Sequence, residues 1–130
     1  MIAQLTGKFL YKTPTQLVID CNGIGYEVNI SLHTFSAIQH LDFGTLFTFL
    51  KVAEDAHILY GFSEIAEKQI FIMLLSVSGV GAATARMMLS SLKPLEVQQA
   101  ILTGNLKLLE SIKGIGKKTA EGIVLQNIHI

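Results

Sequence analysis

Leu75-Ser-Val-Ser-Gly79-Val80-Gly81-Ala-Ala-Thr-Ala85 and Leu109-Glu-Ser-Ile-Lys-Gly114-Ile115-Gly116-Lys117-Lys118-Thr-Ala120 are two copies of one pattern. Each reads as a helix end, a Gly-apolar-Gly turn and the start of a Thr-Ala helix, and Gly114 follows Gly79 by 35 residues. Two copies are too few for a solenoid. The first glycine of each can take a left-handed turn without a Cβ penalty. Val80 or Ile115 can then point back between the two helices and pin the turn. Gly81 or Gly116 opens the next helix and leaves its first N–H groups unpaired. With no side chain there, a phosphate can approach the backbone and sit at the positive helix end. A tight helix–helix turn with no ligand would use the same residues, but the duplication favours phosphate binding. Lys117 and Lys118 sharpen that reading, because a cation in the first turn of a helix opposes the macrodipole by about 0.3–1 kcal/mol unless an anion binds there.

Outward from these turns, residues 63–130 read as helices. Ser63 is expected to cap the first, with Glu64 and Glu67 in its opening turn and Ile65, Ile70, Phe71, Leu74 and Leu75 inward. Further short helices are expected over Gly81–Leu92, Pro94–Leu102, Asn105–Ser111 and Lys117–Asn127. The run Phe71-Ile-Met-Leu-Leu75, like Met87-Met-Leu89, is apolar nearly all round. It suits a core or a subunit interface, and periodicity does not separate the two.

Residues 1–62 have a different period. Ile2–Lys12, Gln16–Cys21, Tyr26–Ile30, Leu46–Val52 and His57–Phe62 are rich in strand formers, and Tyr26-Glu-Val-Asn-Ile30 alternates strictly. Leu32–Leu41 reads as a short helix between the third and fourth. Five strands with one helical insertion predict a small closed barrel of the OB type. The fold class is thus mixed: a five-stranded OB-type barrel over 1–62, then an all-α tandem hairpin domain over 63–130.

Composition narrows the function. Of 130 residues, 50% are hydrophobic and 15% charged, which excludes a disordered chain and suggests that some apolar surface meets another subunit. No secretory signal or membrane-length helix is visible, and the single Cys21 excludes an internal disulfide. A cytoplasmic protein is expected. Net charge is zero, yet residues 1–63 hold three lysines against five carboxylates, whereas 64–130 hold seven cations against five. Anion binding belongs in the second half. No catalytic centre is apparent, and no cofactor or metal is implied. Gly114-Ile-Gly-Lys-Lys-Thr lacks the spacing of an ATP-binding loop. His33, His40, His57 and His129 lack ligand spacing and are expected to be solvated or locally hydrogen bonded. Cys21 reads as a small packed residue.

The doubled turn is the helix-hairpin-helix motif. Together with Met1-Ile-Ala-Gln-Leu-Thr-Gly7, Asn22-Gly-Ile-Gly-Tyr-Glu-Val28, Glu54-Asp-Ala-His-Ile-Leu-Tyr-Gly-Phe62 and Ile115-Gly-Lys-Lys-Thr-Ala-Glu121, it resembles the RuvA family over essentially the whole chain. The resemblance implies sequence-independent binding of four-way Holliday junctions, by a four-fold tetramer alone or stacked in pairs, in recombination and repair. It implies a non-catalytic subunit of an ATP-dependent branch-migration helicase whose ATPase is RuvB, with the RuvC resolvase as a further partner. By similarity, Gly79, Val80, Gly81, Gly114, Ile115, Gly116, Lys117 and Lys118 grip phosphates. Glu54 and Asp55 match an acidic pin at the tetramer centre; without the family they read as an ordinary hairpin turn.

The chain departs from the family at Ala53, Ala83 and Gly122, where many members carry a basic residue. Lys51, Arg86, Lys107 and Lys113 are the candidates to compensate. Members also continue into a third, motor-binding domain, so coupling to RuvB is not expected of residues 1–130 alone. Two competitors remain from other classes. A repair glycosylase or lyase would need a catalytic residue such as Lys117 or Lys118 at a base-accepting pocket. A single-strand or RNA binder would stack bases on Tyr11, Tyr26, Phe47 and Phe49, though core packing suits those residues as well.

Overall fold

The computed structural model describes residues 1–125. Two compact units divide the chain, Met1–Lys68 and a second beginning at Gln69. Strands β1 (Gln4–Lys12), β2 (Gln16–Cys21), β3 (Ile24–Ile30), β4 (Phe43–Ala53) and β5 (Ala56–Phe62) form a closed barrel in the order β1-β2-β3-β5-β4. Four neighbouring pairs are antiparallel; β3 and β5 run parallel, with Val28 opposite Leu59. The predicted alternation is what fills the interior: Leu5, Phe9, Leu17, Ile19, Val28, Ile30 and Leu46 are buried. Beside the expected strands, β4 begins earlier, at Phe43. Phe43, Gly44 and Thr45 pair with Lys8, Gly7 and Thr6, and this pairing closes the barrel. Helix α1 (Leu32–Ile38) follows β3 and is capped by the Ser31 hydroxyl, which accepts from the Thr34 N–H.

Helices α2 (Ile65–Leu75), α3 (Ala82–Ser91), α4 (Pro94–Leu102), α5 (Leu106–Glu110) and α6 (Lys117–Leu125) follow. The predicted end of the last helix at Asn127, like His129, lies outside the described residues. Proline opens α4, and Glu96 accepts from the Lys93 N–H at 2.9 Å. Asn105 caps α5 through the Leu108 N–H.

The expected start of α2 needs correction. Its inward face is Glu67, Phe71 and Leu74, at helical spacing, so Glu67 is fully buried while Ile65 is 53% exposed. Ser63 does not cap: its hydroxyl has no partner among the described residues, and its N–H donates to Thr34 Oγ1. Glu64 stands one place before the helix. The apolar run is likewise sided, with Phe71 and Leu74 in the core and Ile72 exposed; Met88 and Leu89 are buried and Met87 is exposed. No helix among the described residues is long and apolar enough to cross a membrane.

Candidate nucleic-acid interface

The two Gly-apolar-Gly turns superimpose bond for bond at the 35-residue offset. In the first, Val77 N–H donates to Leu74 O (3.1 Å), Val80 N–H to Val77 O (3.1 Å) and Ala85 N–H to Gly81 O (2.9 Å). In the second, Ile112 N–H donates to Leu109 O (3.2 Å), Ile115 N–H to Ile112 O (3.1 Å) and Ala120 N–H to Gly116 O (2.9 Å). Even the serine hydroxyls match: Ser76 donates to Met73 O and Ser111 to Leu108 O, each at 2.5 Å. Gly79 has φ +90° and Gly114 φ +92°, the left-handed region that a side chain resists. Val80 and Ile115 are 6% and 5% exposed, so the central residue of each turn is a packed plug.

The outer surface of both turns is bare backbone. Gly79, Gly81, Gly114 and Gly116 are all exposed. A Cβ added at Gly81, Gly114 or Gly116 meets nothing within 4 Å. Gly81 is the N-cap of α3 and supplies no side-chain cap hydrogen bond to the first N–H groups of that helix. Amides at the positive end of a helix are the kind of group that can hold an anion.

The flanking charge differs between the copies. Around the second turn Lys113, Lys117 and Lys118 are exposed. Their counterparts in the first are Ser78, Ala82 and Ala83. Ala83 is exposed, but Ala82 is buried at 4%. Lys51 and Lys107 are exposed elsewhere on their own elements, and Arg86 is half-buried on α3. Gly122 packs close to the first hairpin, its Cβ position 3.4 Å from Val77 Cγ1.

In the barrel unit, Glu54 and Asp55 form the exposed tip of the β4–β5 hairpin, beyond the Ala53–Ala56 pair. Of the candidate stacking residues, Tyr26, Phe47 and Phe49 are half-buried, and Tyr11 is 74% exposed, which corrects the expectation of core packing for Tyr11. Cys21 packs against the barrel core; burial, then the neighbouring Asp20 charge, pushes its thiol pKa up, opposed by a backbone hydrogen bond at Thr6. A thiol so protonated is a poor nucleophile. Among the described residues no three His, Cys, Asp or Glu side chains gather to hold a metal.

Sequence reasoning missed a buried polar network. Ser31 and Thr34 donate their hydroxyls to the two oxygens of Glu67, and His33 Nε2 lies 2.6 Å from Glu64 Oε1. Desolvation pushes the Glu67 pKa up; the hydrogen bonds from Ser31 and Thr34 and the nearby His33 pull it down, and Glu64 pushes it up again. The network ties the start of α2 to α1. Its one sequence signal was the coincidence of Glu67 with the Phe71 and Leu74 face.

A small closed barrel followed by two equivalent Gly-x-Gly helical hairpins defines a two-domain protein of the barrel and tandem helix-hairpin-helix class. Residues 1–61 match the RuvA N terminal domain family, and residues 71–126 match the SAM-like helix-hairpin-helix tandem family. The chain belongs to the RuvA family through these two domains. It is 54% identical over 125 residues to the Holliday junction branch migration complex subunit RuvA of Christiangramia forsetii, covering 96% of this chain and 65% of that one. The protein of the same name from Flavobacterium psychrophilum is also 54% identical, with the same shares. That of Bacteroides fragilis is 46% identical, covering 96% of this chain and 62% of the relative. The chain thus spans less than two thirds of the length of these relatives.

Proposed function

We propose that this chain binds four-way DNA junctions without reading their sequence, as the DNA-holding, non-catalytic subunit of a branch migration complex. The observation that carries the reading is the repeated turn: two exposed Gly-x-Gly backbones with matching hydrogen bonds, one flanked by lysines. Two phosphate sites on one rigid scaffold grip a duplex arm by its backbone. Each amide or lysine bond to a charged phosphate contributes about 1.5–3 kcal/mol. Contacts made to phosphates carry no base identity, so a grip of this kind is indifferent to sequence. The name shared by the relatives supports the choice of a junction as substrate.

In this reading Glu54 and Asp55 work by repulsion. Four copies around a four-fold axis crowd carboxylates where strands cross, within the Debye length of ~10 Å at 0.1 M salt. They hold the crossover open while strands part. The working assembly is a tetramer, single or stacked in pairs, in the cytoplasm. It serves the RuvB ATPase motor and hands junctions to the RuvC resolvase. Chemistry belongs to those partners.

A native gel shift comparing a four-way junction with linear duplex and single strand, beside the mass in solution, tests the proposal. Strong junction preference by a tetramer or octamer is expected. Equal binding to all three DNAs, or a persistent monomer, contradicts it.

A further inference from the structure

The two hairpins do not stand alone in the second unit. An open cleft of ≈ 620 Å³ runs between the first turn and α6. Ser78 and Gly79 line it from one side, and Lys118, Thr119, Glu121 and Gly122 from the other. The approach is close: a Cβ built on Gly79 lies 3.3 Å from Thr119 Oγ1. The relation is one-sided, because the same construction at Gly114 meets nothing within 4 Å. The first turn therefore shares a groove with the helix of the second hairpin, while the second turn faces open space.

This asymmetry bears on the missing cation. Within its own turn and first helical residues the first hairpin offers Ser78, Ala82 and Ala83 and no charge. Lys118, which is the counterpart of Ala83 at the 35-residue offset, lines the cleft that the first turn borders, whereas Lys117 does not line it. Resting on the reading of the turns as phosphate grips, we propose that the first phosphate site is composite: backbone from the Gly79 turn, charge from Lys118 of the second hairpin. Its ligand is a phosphodiester of the DNA backbone lying in the cleft. Thr119 Oγ1 and Ser78 Oγ are further donors within the groove. Glu121 lines the same groove and opposes the anion. Lys118 and Glu121 form no ion pair with one another among the described residues, so Lys118 is not neutralised by that neighbour.

A cycle of substitutions read by fluorescence anisotropy on a labelled four-way junction tests this. Lys117, Lys118 and Ala83 are all exposed, so each variant is expected to fold, and thermal melting checks it. K118A is expected to weaken binding about tenfold, the size of one charge-assisted bond. It should flatten the slope of log affinity against log salt by about 0.9. A83K, which restores a lysine to the first hairpin, should return K118A to within about twofold of the parent affinity. In the K117A background A83K should give no such rescue, and E121Q should tighten the parent. Equal losses for K117A and K118A, with A83K improving both alike, overturn the shared site while leaving junction binding intact. A parent chain that ignores the junction overturns the reading of the turns themselves, and the composite site falls with it.

Discussion

The first hairpin, α2-turn-α3, and the second, α5-turn-α6, share a backbone and differ in almost everything attached to it. Their turn hydrogen bonds agree within about a tenth of an ångström, and the plug residues Val80 and Ile115 are buried alike. The first is fed by an eleven-residue helix whose start is tied down by buried Glu67; the second is fed by the five residues Leu106–Glu110. The first turn and the opening residues of α3 are uncharged and bordered by a helix of the second hairpin, whereas the second turn is flanked by lysines and open. Duplication thus preserved what the backbone needs, a left-handed glycine and an apolar plug. The choice of charge was left to the surface, where it costs little to change.

The comparison breaks most visibly at the left-handed glycines. Gly79→Val and Gly114→Val each force a β-branched residue to φ near +90°, which costs about 1–3 kcal/mol. The Gly79 variant should be the worse of the two, because its Cβ also presses on Thr119 Oγ1 at 3.3 Å, while Gly114 has open space. Urea denaturation midpoints check the order, and equal losses would mean that the groove relaxes freely. A smaller effect separates neighbouring alanines. Ala82→Lys places a cation where the second hairpin carries exposed Lys117, yet Ala82 is buried; about 2 kcal/mol of stability should go. Ala83→Lys, on the exposed side, should leave the melting temperature within a degree or two.

The smallest effect concerns the anchor of α2. Burial raises the Glu67 pKa, so the folded state holds that proton more tightly than the unfolded chain. The contribution of this group is full below the ordinary carboxylate range and is lost as pH rises through the raised value. The charged groups beside it, His33 and Glu64, act in opposite senses. Glu67→Gln should remove that part of the stability–pH profile, and unfolding curves from pH 4 to pH 8 read it. A variant profile that still tracks the parent would mean that Glu67 does not set that slope.

Much of this was legible in the chain. The 35-residue echo placed both turns, their glycines and their plugs, because a turn is a local object whose residue types follow from backbone sterics. Alternation placed the strands, since one face of each is buried. The misreadings arose where distant segments meet. Glu67 resembled a first-turn carboxylate favouring the helix dipole, and only the hydroxyls of Ser31 and Thr34, more than thirty residues away, make its burial tolerable. Ser63 had the chemistry of a cap, but α2 begins one residue too late for it. The cleft that joins Gly79 to Lys118 depends on the packing of two segments some forty residues apart, which no local pattern encodes.

Amide chemical-shift mapping of the labelled chain on addition of a four-way junction reaches the central claim most directly. The account predicts the largest changes at Gly79, Gly81, Ala82 and Ala83 and at Gly114, Gly116, Lys117 and Lys118. Unmoved signals at both turns, with changes gathered on the barrel strands around Tyr11, would contradict it.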